Sequence, residues 1–287
     1  MKSDIWIEER HRVQSAMRWR VKEVLFEGKS PFQEVTVVDT VPLGRMLLND
    51  GLVMVTEKDE FVYHEMIAHV PLFVHPDPRR VLVIGGGDGG TVREVLRHKS
   101  VKACRLVEID RMVVDACRKF LPSMADALKS PRAKVTIDDG VKFVATTREK
   151  FDVVIVDSTD PIGPATPLFG RKFYSDVRRL LTPRGIVVSQ GESPFLEVEA
   201  QKSLLKTLSG VFRRTHLYNF SNLTYPGGLW SFTWASDDAC PVADFDPGRV
   251  ARSGLKFKYY SADLHAASFQ LPQFVRDNHP NTLTCCR

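Results

Sequence analysis

The chain has 287 residues, of which 43% are hydrophobic and 26% charged, a globular balance that excludes a fibrous or disordered polypeptide. No apolar run approaches the roughly 20 residues of a membrane helix, and the opening "MKSDIWIEERHR" is too charged for a secretory signal. The net charge of +5 is spread without a dense Lys/Arg block, which favours a solvated surface over a nucleic-acid interface.

Residues 20–75 open with short Val- and Leu-rich runs, "VKEVLFEG", "FQEVTVVDT", "GRMLLND" and "LVMVTEKD". Turn residues separate them, at Gly28–Pro31, Pro42–Gly44 and Asn49–Gly51, which predicts antiparallel hairpins. "EFVYHEMIAHVPLF" follows, with Phe61, Met66, Ile67 and Val70 at helical intervals, and predicts a short helix ended by Pro71. From residue 81 strands and helices alternate: "VLVIG", "GTVREVLRHK", "ACRLVEID", "RMVVDACRKFL", "AKVTIDDG", "VKFVATTRE", "FDVVIVDS". After a Pro/Gly-rich loop come a helix near 171–181, the strand "RGIVVSQGE", the helix "EVEAQKSLLKTLSGVF" and two strand-like runs, "RRTHLYNFS" and "GLWSFTWAS". Uninterrupted apolar runs such as "DVVIV" mark parallel strands covered on both faces. The alternation predicts a doubly wound α/β sheet. The five cysteines, Cys104, Cys117, Cys240, Cys285 and Cys286, are odd in number and form no C-x-x-C pair, which fits a reduced, cytoplasmic setting. The terminal pair Cys285–Cys286 carries no expected role.

Ligands of such sheets sit at the carboxyl ends of the strands. Those ends read Gly85–Asp88, Glu108 with Asp110, Asp138 with Asp139, Asp157 with Asp160, and Gln190 with Glu192. Nearly every strand delivers a carboxylate to one rim, and such crowding calls for something cationic to offset it. Gly85, Gly87 and Gly90 match G-x-G-x-x-G between a strand and a helix. Glu108 stands 18 residues after Gly90, where an acid accepts from ribose hydroxyls. Together they predict a nucleoside site. Asp139-Gly140 has two readings, a contact to the adenine amino group or a cap for the following helix.

Asp88 decides what the nucleoside carries. A pyrophosphate, or the carboxylate of S-adenosylmethionine, would meet a like charge there, at roughly 4 kcal/mol for ~4 Å separation near a surface. Decarboxylated S-adenosylmethionine ends in an ammonium, for which Asp88 is a good partner. The plainer reading of Asp88 is a turn former or cap. Asp157 and Asp160 can grip a substrate amine, and the stretch to residue 170, stiffened by Pro161, Pro164 and Pro167, has the length of a lid.

The segments "PFQ" (31–33), "DEFVYHEM" (59–66), "VLVIGGGDGG", "VEID", "DDG", "DSTDPIGPA", "TYPGGLW" (224–230) and "KYYSADLHAASFQLP" (258–272) occur in order. In them the chain resembles the spermidine synthases, the polyamine aminopropyltransferases, over nearly its whole length. The resemblance implies a small N-terminal antiparallel β-hairpin domain, placed at 1–58, and a mainly parallel seven-stranded methyltransferase-like Rossmann domain, 59–287. It implies that Gln33, Gly85, Gly87, Glu108, Asp139, Gly140 and Pro164 bind the methylthioadenosine part. Asp88 would bind the aminopropyl ammonium. Tyr63, His64, Asp157, Ser158, Thr159, Asp160 and Tyr225 would surround the amine acceptor, with Asp157 as proton acceptor. Taken alone, Tyr63, His64 and Tyr225 read as packing residues with a satisfied polar tip. Trp6 and Trp230 read equally as pocket lining or core.

The implied reaction moves the aminopropyl group of decarboxylated S-adenosylmethionine, a co-substrate, onto putrescine. The sulfonium leaving group is already activated, so no metal or further cofactor is expected. The implied partners are these small molecules and a second copy, as homodimer or homotetramer, with no nucleic acid or membrane. The competing readings are a methyltransferase using intact S-adenosylmethionine, a non-catalytic homologue, and transfer to cadaverine or agmatine. Glu192 reads equally as a contact for the distal amine or as a solvated strand end.

Overall fold

The computed structural model describes residues 4–11, 15–160, 163–280 and 283. Strands β1 (Ile5–Arg10), β2 (Ala16–Lys29), β3 (Glu34–Thr40), β4 (Gly44–Asn49) and β5 (Leu52–Thr56) form an antiparallel sheet in chain order. Asp50 and Gly51 close the β4–β5 hairpin with φ of 50° and 77°, the paired positive values that a two-residue turn needs. Side chains alternate across the sheet. Val35, Val37, Leu47 and Val55 join the main core, while Val38, Met46, Leu48 and Val53 build a second cluster on the opposite face. The sequence reading did not find β1 or the first residues of β2. β1 opens on the short run Ile5-Trp6-Ile7, of which Ile5 and Trp6 are exposed, and at the start of β2 Met17, Trp19 and Val21 alternate with arginines with only Val21 fully buried, so there is no buried run to read.

Helix α1 (Glu60–Val74) is buried on almost every side and carries Pro71 inside its last turn. The expected stop at Pro71 is therefore corrected. A proline costs an interior helix about 3 kcal/mol through its missing N–H and its ring, but Leu72, Phe73 and Val74 beyond it are buried. The Pro71 carbonyl still accepts from His75 N–H at 3.0 Å.

The second sheet follows the predicted alternation. Its elements are β6 (Arg80–Gly85), α2 (Gly90–Arg97), β7 (Ala103–Glu108), α3 (Arg111–Phe120), α4 (Pro122–Ala125), β8 (Ala133–Ile137), α5 (Gly140–Thr146), β9 (Phe151–Asp157), α6 (Arg171–Leu180), β10 (Leu181–Gln190), α7 (Val198–Ser209), β11 (Arg214–Ser221) and β12 (Leu229–Ser236). The strand order is β11-β12-β10-β9-β6-β7-β8. The pairs from β10 to β8 are parallel and β12 is antiparallel to both neighbours. This is the predicted mixed α/β architecture, a mainly parallel seven-stranded sheet with an antiparallel N-terminal sheet beside it. Val81, Val83, Val153 and Ile155 face the core under α1 to α3, while Leu82, Ile84, Val154 and Val156 face α5 to α7. Chain order reverses between β6 and β9, and there Gly85 pairs with Asp157. A crevice outside the strand ends opens at such a reversal.

The last segment adds α8 (Pro247–Ser253), α9 (Ala262–Ser268) and α10 (Gln273–Asn278), which the sequence pattern did not reveal as helices. They are short and hold through polar contacts to the sheet domain. Glu65, buried on α1, accepts from the backbone N–H groups of Lys258, Tyr259 and Tyr260 at 2.8–2.9 Å. Arg249 donates to the carbonyls of Phe73 and His75. Glu65→Ala would leave three buried-side amides unpaired, so we expect it to lower stability by at least about 3 kcal/mol, read as the shift in a chemical denaturation curve.

Candidate active site

The turn between β6 and α2 is built from glycine for steric reasons. Gly85 and Gly86 have φ of 80° and 66°, where only glycine is at ease. A Cβ on Gly85 would stand 2.1 Å from the Asp157 carbonyl oxygen, and one on Gly90 2.1 Å from the His64 ring. The backbone of the turn thus lies against the end of β9 and the wall of α1. A single cavity opens beside it, lined by the turn, the ends of β7 and β9, α1, the 222–230 segment and the N-terminal sheet.

Of the expected residues, Gln33, Tyr63, His64, Gly85, Gly87, Asp88, Glu108, Asp139, Gly140, Asp157, Ser158, Thr159, Asp160 and Tyr225 all line this one cavity. Pro164 falls in a 3-10 helix (Gly163–Phe169) whose Ala165 and Leu168 also line it. The Pro164 side chain, Pro161, Cys285 and Cys286 lie outside the described residues. Trp230 is on the cavity wall, whereas Trp6 is 53% exposed on β1. Glu192 is fully buried with φ of 67°, which corrects the solvated strand-end reading; the cavity lining includes Gln190 but not Glu192.

The Glu108 end of the cavity is held from two sides. Glu108 is buried and accepts from Asp110 N–H at 2.9 Å. Asp110 in turn caps α3 and accepts from Ser30 Oγ at 2.7 Å and Gln33 Nε2 at 3.0 Å, so the β2–β3 loop is tied to the end of β7. Asp139 accepts from Val141 N–H at 2.7 Å as the cap of α5, while also lining the cavity. Both readings of Asp139 are thus open to one side chain, since capping uses one oxygen.

At the other end, Asp157 accepts from Tyr63 Oη at 2.8 Å on one oxygen and Thr91 Oγ1 at 2.6 Å on the other. Tyr225 packs edge-on to Tyr63 at 5.9 Å and donates to the Met54 carbonyl at 2.9 Å. Asp88 accepts from Gly90 N–H at 2.7 Å, the expected turn contact, and lies 3.3 Å from His64 Nε2. Burial pushes the Asp157 carboxyl up, and the Asp88 charge adds to it. Burial opposes the Asp88 charge as well, but His64 holds it below the ordinary carboxylate range. Burial works against a charged His64 too; nonetheless, Asp88 and Glu60 on either side raise it to about 10.

The sequence reading missed several cavity carboxylates. Asp59 accepts from Thr56 and from Thr224, joining the N-terminal sheet to the 222–228 loop. Glu60 contacts His64. Glu9, on the unrecognised β1, is buried, accepts from Val53 N–H at 3.1 Å, and leaves Oε2 with no hydrogen-bond partner among the described residues. The sequence holds no signal for Glu9, because its burial depends on how a short, largely exposed hairpin is placed.

Burial lifts Glu9 and Glu108 from an ordinary 4.5 to about 7. Between those values the folded chain keeps a proton that the unfolded chain has released, so folding stability falls as pH rises across this window and the cost is complete above pH 7. Glu108→Gln, which removes that cost, should therefore raise the melting midpoint at pH 8, by about 2–4 °C per kcal/mol relieved, and the gain should vanish near pH 4.5. Paired thermal melts across pH 4.5–8 check this.

Family comparison follows the same division of the chain. A family model described as "Spermidine synthase tetramerisation domain" matches residues 5–57, and one described as "Spermine/spermidine synthase domain" matches residues 60–247. A polyamine aminopropyltransferase of Clostridium kluyveri is 47% identical over 277 residues, 96% of this chain and 98% of its own. One of Methanocaldococcus jannaschii is 43% identical over 280 residues, 96% and 95%. The spermidine synthase of Thermotoga maritima superposes with a TM-score of 0.93 at 40% identity, covering 96% of this chain and 94% of that one. A spermidine synthase in complex with the transition state analogue AdoDATO gives 0.94, at the same identity and coverage. With both sheets and the cavity between them covered by these relatives, the chain belongs to the spermine/spermidine synthase family and is an aminopropyltransferase enzyme.

Proposed function

We propose that the enzyme transfers the aminopropyl group of decarboxylated S-adenosylmethionine to putrescine, giving spermidine and methylthioadenosine. One observation carries the reading: carboxylates line the cavity from end to end, and among its described lining residues none is a lysine or an arginine. A cavity of that charge suits ligands that bring positive charge at both the donor tail and the acceptor. The solved relative bound to a transition state analogue supports the same use of the site.

On this reading Glu108 takes the ribose hydroxyls, with Gln33, Gly85, Gly87, Asp139, Gly140 and Pro164 around the rest of the methylthioadenosine. Asp88 takes the donor ammonium. The acceptor nitrogen's lone pair attacks the propyl carbon, the carbon–sulfur bond breaks toward sulfur, and methylthioadenosine leaves as a neutral thioether. Positive charge moves to the nitrogen, beside Asp157, which stabilises it and then takes the proton. Only about one part in a thousand of an ordinary primary amine is neutral at pH 7.4, so the Asp157 carboxylate serves the developing charge as much as it serves as a base. Its raised proton affinity suits the second duty, and the hydroxyls of Tyr63 and Thr91 fix its aim. The leaving group is a sulfonium, so the reaction needs no additional cofactor.

Glu9, whose proton affinity the Asp160 charge helps to raise, and Asp160 itself supply a second anionic pole for the far ammonium of a diamine. The exposed apolar residues Ile5, Trp6, Val24 and Val41 of the first sheet suit self-association, in line with the name of the family model that matches there.

Asp157→Asn should lower turnover by at least ~10² with the donor still bound. Product analysis with decarboxylated and intact S-adenosylmethionine against putrescine, cadaverine and agmatine tests the whole reading. Tight binding of the intact donor with no diamine turnover would overturn it.

A further inference from the structure

Behind the Asp88 end of the cavity runs a chain of four charged side chains from three elements. Arg93, on α2 and outside the cavity lining, grips both oxygens of Glu60, with Nη1 3.0 Å from Oε1 and Nη2 2.7 Å from Oε2. Glu60 Oε2 lies 2.6 Å from His64 Nδ1, and His64 Nε2 lies 3.3 Å from Asp88 Oδ1. Glu60 and His64 are buried, and Asp88 is nearly so.

With Glu60 and Asp88 both ionised, the form their partners favour, the hydrogen inventory of this chain admits one arrangement. A neutral imidazole has a single N–H and would turn a lone pair toward one of the two carboxylates; an imidazolium donates to both. A carboxylate facing that imidazolium on one side needs its own partner to remain ionised when buried. The bidentate guanidinium of Arg93 is that partner, and it is fixed by further bonds from Nε to Glu94 at 2.8 Å and from Nη1 to the Ser123 carbonyl at 3.3 Å.

We propose that Arg93 and Glu60 are positioning residues that act through His64, holding it as a double donor and thereby keeping Asp88 ionised and aimed at the ammonium of the aminopropyl donor. The inference rests on the reading of Asp88 as the donor subsite. The charged and titratable groups facing His64 and Asp88 are Glu60 and Tyr63 on α1, Arg93 on α2, Glu108 at the end of β7, Cys117 on α3, Asp157 at the end of β9 and Tyr225 in the 222–228 loop. Of these only Glu60 and Arg93 lie on the far side of His64 from Asp88 in the hydrogen-bonded chain.

The test compares Arg93→Met, Arg93→Lys and Glu60→Gln with the wild-type full chain. Loss of one charge-assisted hydrogen bond is worth about tenfold or more. Arg93→Met should therefore raise KM for decarboxylated S-adenosylmethionine by about tenfold or more while KM for the diamine stays within about twofold. The acid limb of kcat/KM for the donor should move to higher pH, because the charges of His64 and Arg93 both favour ionised Asp88; the His64 charge favours ionised Asp157 too, so its limb can move only in the same direction. Arg93→Lys should recover most of the loss. Nitrogen NMR of the substrate-free protein at pH 8 should show the His64 imidazolium in wild type and its loss in Glu60→Gln, which removes one of the two anions that hold it. Glu60→Gln, close to isosteric, should also raise KM for the donor and decides the matter if Arg93→Met does not fold. Donor and diamine KM rising together, an unmoved acid limb, or an imidazolium retained in Glu60→Gln would each overturn the proposal. The NMR readout requires no substrate, so it separates failure of this chain from failure of the assigned reaction.

Discussion

The concentration of buried negative charge at the carboxyl edge of one parallel sheet governs this molecule. Burying a carboxylate without a partner is costly, and several in one cleft raise each other's proton affinity. The fold answers in three ways. Asp88 keeps its charge through a backbone N–H and the His64 imidazolium. Asp157 is held by two hydroxyls. Glu108 and Glu9 are left so poorly offset that they reach about 7. The cleft is thus electrically incomplete by itself, and the proposed substrates, which are cationic, would complete it. Stability has been given up where binding is needed, which is the usual relation at a functional site.

Position is set by close backbone approach as much as by charge. Gly85 pairs with Asp157 across the reversal of strand order, and no side chain fits between them. The donor turn and the proposed proton acceptor are therefore fixed relative to each other by sheet hydrogen bonding alone, with no flexible linker involved. Helix α1 seals the same edge. Its buried length places Tyr63 and His64 over the turn on one side, while Glu65 fastens the C-terminal segment on another.

The N-terminal sheet is a working wall of the site. Gln33 reaches Asp110, Met54 receives Tyr225, and Glu9 faces the cavity from β1. A sheet domain alone would leave the Glu9 end of the cavity open to water. On the proposed reaction, enclosure matters because electrostatic stabilisation of the nitrogen charge is strongest where water is excluded.

Much of this was legible in the chain itself. The two-residue turn at Asp50-Gly51, the apolar runs of β6 and β9, the glycine turn and the carboxylates ending each strand are local patterns that backbone sterics and strand periodicity make readable. Tertiary structure alone decided the rest. It carried α1 past Pro71, because burial of the following residues outweighs a lost hydrogen bond. It revealed β1 and with it Glu9, since the apolar run Ile5-Trp6-Ile7 is too short to mark a strand and is largely exposed. It showed that His64 stands between two carboxylates, Glu60 and Asp88, because spacing places a side chain on a helix face but cannot say what stands opposite. Local rules act between neighbours in sequence, whereas partners of buried charge come from anywhere in the chain.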